Sequence, residues 1–250
     1  MAIAVQGEFH GEYMPAGVTI KLEQGNAGKH CHDLMRILEE KNRIDFEVPE
    51  QASDPRLSLD YLFGEARGQM FGILECADAD GEVVILKAFS GQYNGIWKVE
   101  GWVPPLFNVD RFDELVCGTD HKIKELGNQI DRLPEGEERR LLAVRRKKMS
   151  QNLMKEIHAL YHVFNFRSQA KPLSDFFPHG IPTGAGDCCA PKLLNHAART
   201  GLKPVGLAEF FWGRSNRSGT RRHSMFYLPC TEKCLPILGF MMQGMEPQHG

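Results

Sequence analysis

The clearest change in the pattern of apolar and polar positions lies between residues 70 and 90. Two apolar runs rich in Ile, Val and Phe flank the polar segment Asp-Ala-Asp-Gly at 78–81. Runs of this kind predict strands, and Gly81 can adopt the positive φ that a tight turn needs. This part of the chain therefore predicts a β-hairpin.

A helical pattern follows from residue 112 to residue 166, where apolar positions recur at steps of three, four and seven. Pro134 and Gly136 interrupt it, because proline lacks an amide donor and glycine relaxes the backbone. We predict a long helical hairpin over 112–166, packed by a seam of the coiled-coil kind. Such a seam could also join copies of the chain into a homo-oligomer.

The remaining segments predict an α/β fold. After a glycine-rich loop at 181–186, the pattern predicts a helix that stops at Gly201, a buried strand at 205–212, a polar loop at 213–222 and a helix at 235–245. Residues 1–60 show little regular pattern beyond a short helix at 32–41. We expect an irregular N-terminal arm over 1–60 and an α/β domain over 61–250, interrupted by the helical hairpin.

The composition adds few constraints. The chain has 250 residues, of which 42% are hydrophobic and 25% are charged. Its formal net charge is -2, so its overall electrostatic field favours neither a nucleic-acid nor a membrane partner. No export signal and no long apolar span are evident, which predicts a cytoplasmic protein without a membrane partner. The seven cysteines are scattered, which argues against a disulfide framework and leaves metal ligands, buried thiols or reactive thiolates.

Four of the cysteines lie at predicted helix starts. Cys188 and Cys189 precede one helix, and Cys230 and Cys234 lead into another. Amides at a helix N-terminus stabilise thiolates, and thiolates bind zinc. We predict a Zn²⁺ site at Cys188, Cys230 and Cys234, to which Cys189 or His223 could add a ligand. Buried structural thiols and a redox pair are the alternatives.

Two carboxylates are candidates for proton transfer. Asp187 adjoins Cys188, and Glu209 lies in the otherwise apolar strand AEFFWG. A carboxylate in an apolar strand is costly unless it is paired or functional, and burial raises its pKa toward the range useful for catalysis. A structural salt bridge between Glu209 and an arginine of the 214–222 loop is the alternative.

That loop predicts a nucleic-acid contact. It carries Arg214, Arg217, Arg221 and Arg222, which can neutralise phosphates. Trp212 precedes it, and Phe211 and Phe226 are near in sequence. Cations beside aromatic rings are the combination that single-stranded nucleic acid requires.

The order of these features resembles the cytidine deaminase-like superfamily over residues 70–90 and 181–244. The resemblance implies a three-layer α/β/α sheet, a zinc ion held by a ligand at one helix start and a Pro-Cys pair at another, an activated water and a glutamate that moves protons. In that superfamily the glutamate lies two residues after the first ligand. Here that position is Ala190 if Cys188 is the ligand, or Pro191 if Cys189 is.

A second resemblance is closer at the level of the amino-acid sequence. The runs GQMFGILECADADGEVVILKAFSGQ, GAGDCCAPKLLNHAARTGLKPVGLAEFFWG and HSMFYLPCTEKCLPILGFMMQG are similar to the N-terminal region of long bacterial RNA pseudouridine synthases. The Arg-Leu-Asp motif of that family's catalytic domain has no counterpart in this chain, so the resemblance implies only a link to RNA modification.

Two functions are expected from these features. The first is a zinc-dependent, deaminase-like hydrolase acting on a nucleobase, a nucleoside or a base within RNA. The alternative is a non-catalytic, zinc-containing RNA-binding module that accompanies RNA modification.

Overall fold

The fold is mixed α/β. A computed structural model describes residues 9–13 and 18–245. Its strands are β1 (Phe9–Tyr13), β2 (Val18–Leu22), β3 (Gln69–Ala77), β4 (Val83–Phe89), β5 (His162–Phe164), β6 (Ala170–Pro172) and β7 (Lys203–Trp212). Its α-helices are α1 (Ala27–Lys41), α2 (Asp60–Phe63), α3 (Val109–Val116), α4 (Thr119–Arg132), α5 (Glu137–Ala159), α6 (Cys189–Thr200) and α7 (Leu235–Met241). Short 3-10 helices lie at Glu50–Ala52, Pro55–Leu57 and Leu173–Phe176.

The main sheet in the described part of the chain has three antiparallel strands in the order β4-β3-β7. The predicted hairpin is confirmed as β3 and β4. Gly81 has a φ of 84° in its turn, and the Asp78 carboxylate accepts the amides of Asp80 and Glu82 at 3.0 and 2.9 Å. The predicted strand at 205–212 is confirmed as β7, which pairs with the other edge of β3.

Helices pack on both faces of this sheet. Because side chains alternate along a strand, Phe71 and Ile73 of β3 pack with α1, while Leu74 and Cys76 pack with α6 and α7. Residues 1–8 and 14–17 of the predicted N-terminal arm lie outside the described residues. The helix predicted at 32–41 begins at Ala27, and its buried side chains belong to the core.

Gly72 brings α6 close to the sheet. A β-carbon at this position would lie 2.7 Å from Cβ of Cys189 and 3.3 Å from Cγ of Glu209. Only glycine leaves room for this approach without displacing backbone. The N-terminal end of α6 therefore sits directly over the β3–β7 pair.

The predicted helical hairpin is observed as α4 and α5, joined at residues 133–136. Its bounds differ from the prediction at both ends. The first helix is divided at Gly118, whose φ is 81°, and the chain leaves α5 to form β5 well before residue 166. Local turn geometry and sheet pairing override the apolar period at these two points. No helix among the described residues has the length and apolar content needed to cross a membrane.

Candidate metal centre

Three thiols meet at one place beside the sheet. The sulfurs of Cys188, Cys230 and Cys234 all lie within 4.8 Å of one another, and those of Cys230 and Cys234 are 3.6 Å apart. Sulfurs that share one tetrahedral zinc ion are about 3.8 Å apart, because each Zn–S bond is about 2.3 Å. The three cysteines could therefore hold a metal ion.

Two helix starts position these thiols. Cys188 is the N-cap of α6, and its side chain caps no helix amide. Cys230 and Cys234 bracket a turn in which the amides of Cys234 and Leu235 both donate to the carbonyl oxygen of Cys230 at 3.3 Å, and α7 begins at Leu235. The thiols of two segments more than forty residues apart are thus brought together by packing of α6 against α7.

The arrangement favours ionisation of Cys230. Hydrogen bonds with the thiols of Cys188 and Cys234, and from the amides of Lys233 and Cys234, lower the pKa of Cys230 well below its usual range. The hydrogen bond with Cys230, together with burial, raises the pKa of Cys188, and the contacts with Cys188 and Cys230 raise the pKa of Cys234. A bound cation would favour the thiolate form at all three positions, because opposite charge stabilises the ionised form.

Glu209 lies beside this cluster, at the centre of β7. Its side chain is 5% exposed, and Oε1 accepts the backbone amide of Ala190 at 2.6 Å. Burial raises the pKa of Glu209 to about 7, although the Ala190 amide and the charge of Arg221 oppose this effect. Glu209 forms no ion pair with any described residue within 4.0 Å, so the salt bridge that was its alternative explanation is not observed. A carboxyl group with this pKa can take up and release a proton near neutral pH.

Asp187 belongs to a second buried network. Its Oδ1 accepts the hydroxyl of Tyr161 at 2.9 Å, and its backbone carbonyl accepts the amide of Gly91 at 2.7 Å. Burial raises the pKa of Asp187, against the charge of Lys192, the Tyr161 hydrogen bond and the charge of Lys233. This network holds the loop before Cys188 against the end of β4.

Lys192 is the least expected member of that network. It is 1% exposed, and Nζ donates to the carbonyl oxygens of Phe89 at 2.9 Å and Gly91 at 2.6 Å. Burial lowers its pKa to about 8. Neither Lys192 nor Tyr161 is predicted from the sequence. A lysine three residues after Cys189, on the apolar face of a helix, was the available signal for Lys192, whereas Tyr161 lies far away in sequence and gave none.

The structure places the two further candidate ligands outside the thiol cluster. Cys189 is fully buried, and its sulfur donates to the carbonyl oxygen of Met70 at 3.3 Å. His223 accepts the amide of Gly213 on Nδ1 at 3.1 Å, and its ring lies 4.2 Å from that of Trp212. Both side chains are thus engaged elsewhere: Cys189 with β3, and His223 at the end of β7.

The arginine loop is exposed, but its aromatic neighbours are not. The side chains of Arg214, Arg217 and Arg222 are exposed, and that of Arg221 is half-buried. Trp212 is 5% exposed and packs in the core with Phe210. Phe211 and Phe226 are buried as well. The ring surface that we expected Trp212 to offer a nucleic-acid base is instead part of the core, because this end of β7 is covered on the α1 side.

No protein-family model, no curated protein and no solved structure matches this chain significantly.

Proposed function

We propose that this protein is a zinc-dependent, deaminase-like hydrolase that acts on a nucleobase, a nucleoside or a base within RNA. The observation that carries the proposal is the position of Glu209 beside the three thiols. Its carboxylate accepts the amide of Ala190, two residues after Cys188. This contact supports the proposal, because an acid from the sheet meets the helix position at which the deaminase-like pattern has its glutamate.

The donor set fits zinc. Three thiolates are ligands that zinc prefers, and three protein ligands leave a fourth position free, as in catalytic zinc sites. When bound, zinc would supply an acidified water for hydrolysis near neutral pH. The α1, sheet and α6 order would then correspond to the three layers of a deaminase-like fold.

Glu209 would move protons during hydrolysis. Its carboxylate would accept a proton from the attacking water and deliver it to the leaving amino group. The Ala190 amide fixes Oε1, which leaves Oε2 for the substrate. Asp187 would hold the loop before Cys188 in position, because its Oδ1 is already engaged by Tyr161.

Metal content of cysteine variants tests the zinc site. Purified wild-type protein should carry one zinc ion per chain, and replacing Cys188, Cys230 or Cys234 by Ser should reduce that content strongly. Cys189→Ser is a matched control, since it changes the neighbouring thiol, and Cys117→Ser tests an exposed thiol elsewhere. Both controls should keep the zinc.

Activity is tested separately, as ammonia release from cytidine, adenosine, guanosine and single-stranded RNA. Glu209→Gln should keep the zinc and lose at least about a hundredfold in rate, because general acid–base catalysis contributes that much. A Glu209→Gln variant as active as the wild type would contradict the assignment. Zinc retained by the Cys188→Ser and Cys230→Ser variants would contradict the metal site.

A non-catalytic RNA-binding module with structural zinc is a second candidate. The exposed side chains of Arg214, Arg217 and Arg222 favour it. In that case single-stranded RNA would bind with a marked salt dependence, and Arg217→Met would reduce the salt slope by about one. Glu209→Gln would leave RNA binding unchanged, and no turnover would be found.

A further inference from the structure

A short extended segment continues the sheet beyond β7 and leads directly to the cysteine pair. Phe210 and Phe226 form an antiparallel bridge, and the amide of Tyr227 donates to the carbonyl oxygen of Glu209 at 3.0 Å. Phe210 and Phe226 both pack in the core on the α1 side. Because neighbouring side chains in extended chain alternate, Tyr227 points to the opposite face. Glu209 and the thiols lie on that face.

The guanidinium group of Arg221 stacks on the ring of Tyr227. The Cζ atom of Arg221 lies 4.1 Å from the centre of the Tyr227 ring, which is stacking distance for arginine on an aromatic face. The tyrosine is itself held, since its hydroxyl accepts the amide of Arg222 at 2.8 Å. The backbone amide of Arg221 donates to Oδ1 of Asn216 at 2.9 Å. The loop thus fixes Arg221 on a half-buried ring beside the site.

Arg221 has no ion-pair partner among the described residues. Its charge nevertheless acts on the site, since it lowers the pKa of Glu209 against the effect of burial. A fixed, half-buried cation next to a site, without a carboxylate to neutralise it, is a binding group for an anion.

Lys233 is a second cation of this kind. It lies between Cys230 and Cys234, and Nζ comes 3.9 Å from the point where a β-carbon on Gly184 would lie. Its charge lowers the pKa of Asp187. Lys233 also forms no ion pair within 4.0 Å in the part of the chain that the structure describes. Two cations without an ion pair among the described residues therefore lie near the site on separate segments, Arg221 on the side of Glu209 and Lys233 on the side of Asp187.

We infer that Arg221, held on the ring of Tyr227, and Lys233 bind a phosphate group of the substrate. The site would then take a nucleotide or a phosphodiester-linked base, and not a free base or nucleoside. This inference rests on the proposed function, since it names the substrate class of the same site. Arg221 supplies planar paired donors, which suit phosphate oxygens, and Lys233 supplies a point charge.

Calorimetric titration of the zinc-loaded protein tests this inference. Cytidine and adenosine are compared with their 5′-monophosphates and with a dinucleotide monophosphate, which separates a terminal from a bridging phosphate. The preferred phosphate form should bind roughly tenfold more tightly than the nucleoside, as a charge-assisted hydrogen bond predicts. Arg221→Met and Lys233→Met should each remove most of that factor and leave nucleoside affinity unchanged.

Two further variants make the test specific. Arg140→Met removes an exposed arginine of α5 to which no binding role is assigned, and it should keep the tenfold preference. Arg221→Lys should recover only part of it, because lysine lacks the planar donor pair. Circular dichroism checks that each variant is folded.

Equal affinity for nucleosides and phosphate forms, or no binding of either, would overturn the inference. So would an Arg140→Met variant that loses the preference as fully as Arg221→Met. The readout needs no turnover. Failure of the hydrolytic proposal would therefore appear as phosphate-dependent binding without product, which differs from failure of this inference.

Discussion

Glu209 occupies a position that costs the fold free energy. Its ordinary pKa is 4.5, and burial raises the pKa to about 7 in the metal-free protein. The folded state therefore holds this proton more tightly than the unfolded chain does. The stability associated with the proton is fully present below pH 4.5 and is lost as the pH rises through 7.

Glu209→Gln should remove this pH dependence. Glutamine keeps an oxygen for the Ala190 amide but carries no charge. In the presence of a chelator and a reductant, the free energy of unfolding of the variant relative to the wild type should rise by about 3 kcal/mol between pH 4.5 and pH 8. Urea unfolding at the two pH values measures this difference. If the difference in free energy of unfolding between variant and wild type stays constant with pH, ionisation of Glu209 does not destabilise the folded protein.

At the scale of elements, the contact between α6 and β3 depends on Gly72. Cys188 lies at the N-terminus of α6, where the backbone amide of Ala190 also donates a hydrogen bond to Glu209. Any side chain at position 72 would push this helix end away from the sheet, since the nearest atom would be only 2.7 Å away.

Gly72→Ala should therefore lower both stability and metal affinity. Overpacking of this kind typically costs about 1–3 kcal/mol, which chemical denaturation would measure. Zinc affinity should fall with it, because Cys188 moves with α6. Gly136→Ala is the control: its φ of 173° suits any residue, and a β-carbon there meets no atom within 4 Å. A Gly72→Ala variant with wild-type stability would show that α6 does not rest on this glycine.

At the scale of the whole molecule, the metal would join two segments that no described disulfide connects. The seven cysteines are free in the structure. A ligand that binds only the folded chain stabilises it by mass action. The thiol cluster would therefore couple the packing of α6 and α7 to metal concentration.

Zinc at a hundred times its dissociation constant should stabilise the protein by about 2.7 kcal/mol. For a domain of this size, that corresponds to a rise in Tm of roughly 5 to 10 °C. Differential scanning calorimetry with zinc or with a chelator would measure the rise. The Cys188→Ser variant should show no zinc-dependent change, whereas a full shift in that variant would place the stabilising metal elsewhere.

Local elements were predictable from local patterns. The turn at Gly81 and the end of α6 at Gly201 each depend on a positive φ that glycine adopts freely, so the sequence alone indicated both. The divided first helix of the hairpin was missed, because Gly118 lies within a run whose apolar period continues across it. The strand β5 was missed because the spacing of apolar residues in β5 and β6 does not indicate that the two segments pair.

The sequence by itself determined which cysteines lie at helix starts and that a glutamate stands within an apolar strand, because both depend only on neighbouring residues. Only the tertiary structure decided that Cys188 joins the thiol cluster while Cys189 faces β3. Adjacent side chains at the start of a helix point in different directions, so only the packing around α6 determines which of the two thiols reaches the cluster. Tertiary packing also buried Trp212 and brought Tyr161 and Lys192 to Asp187. These are contacts between segments distant in sequence, which no local pattern specifies.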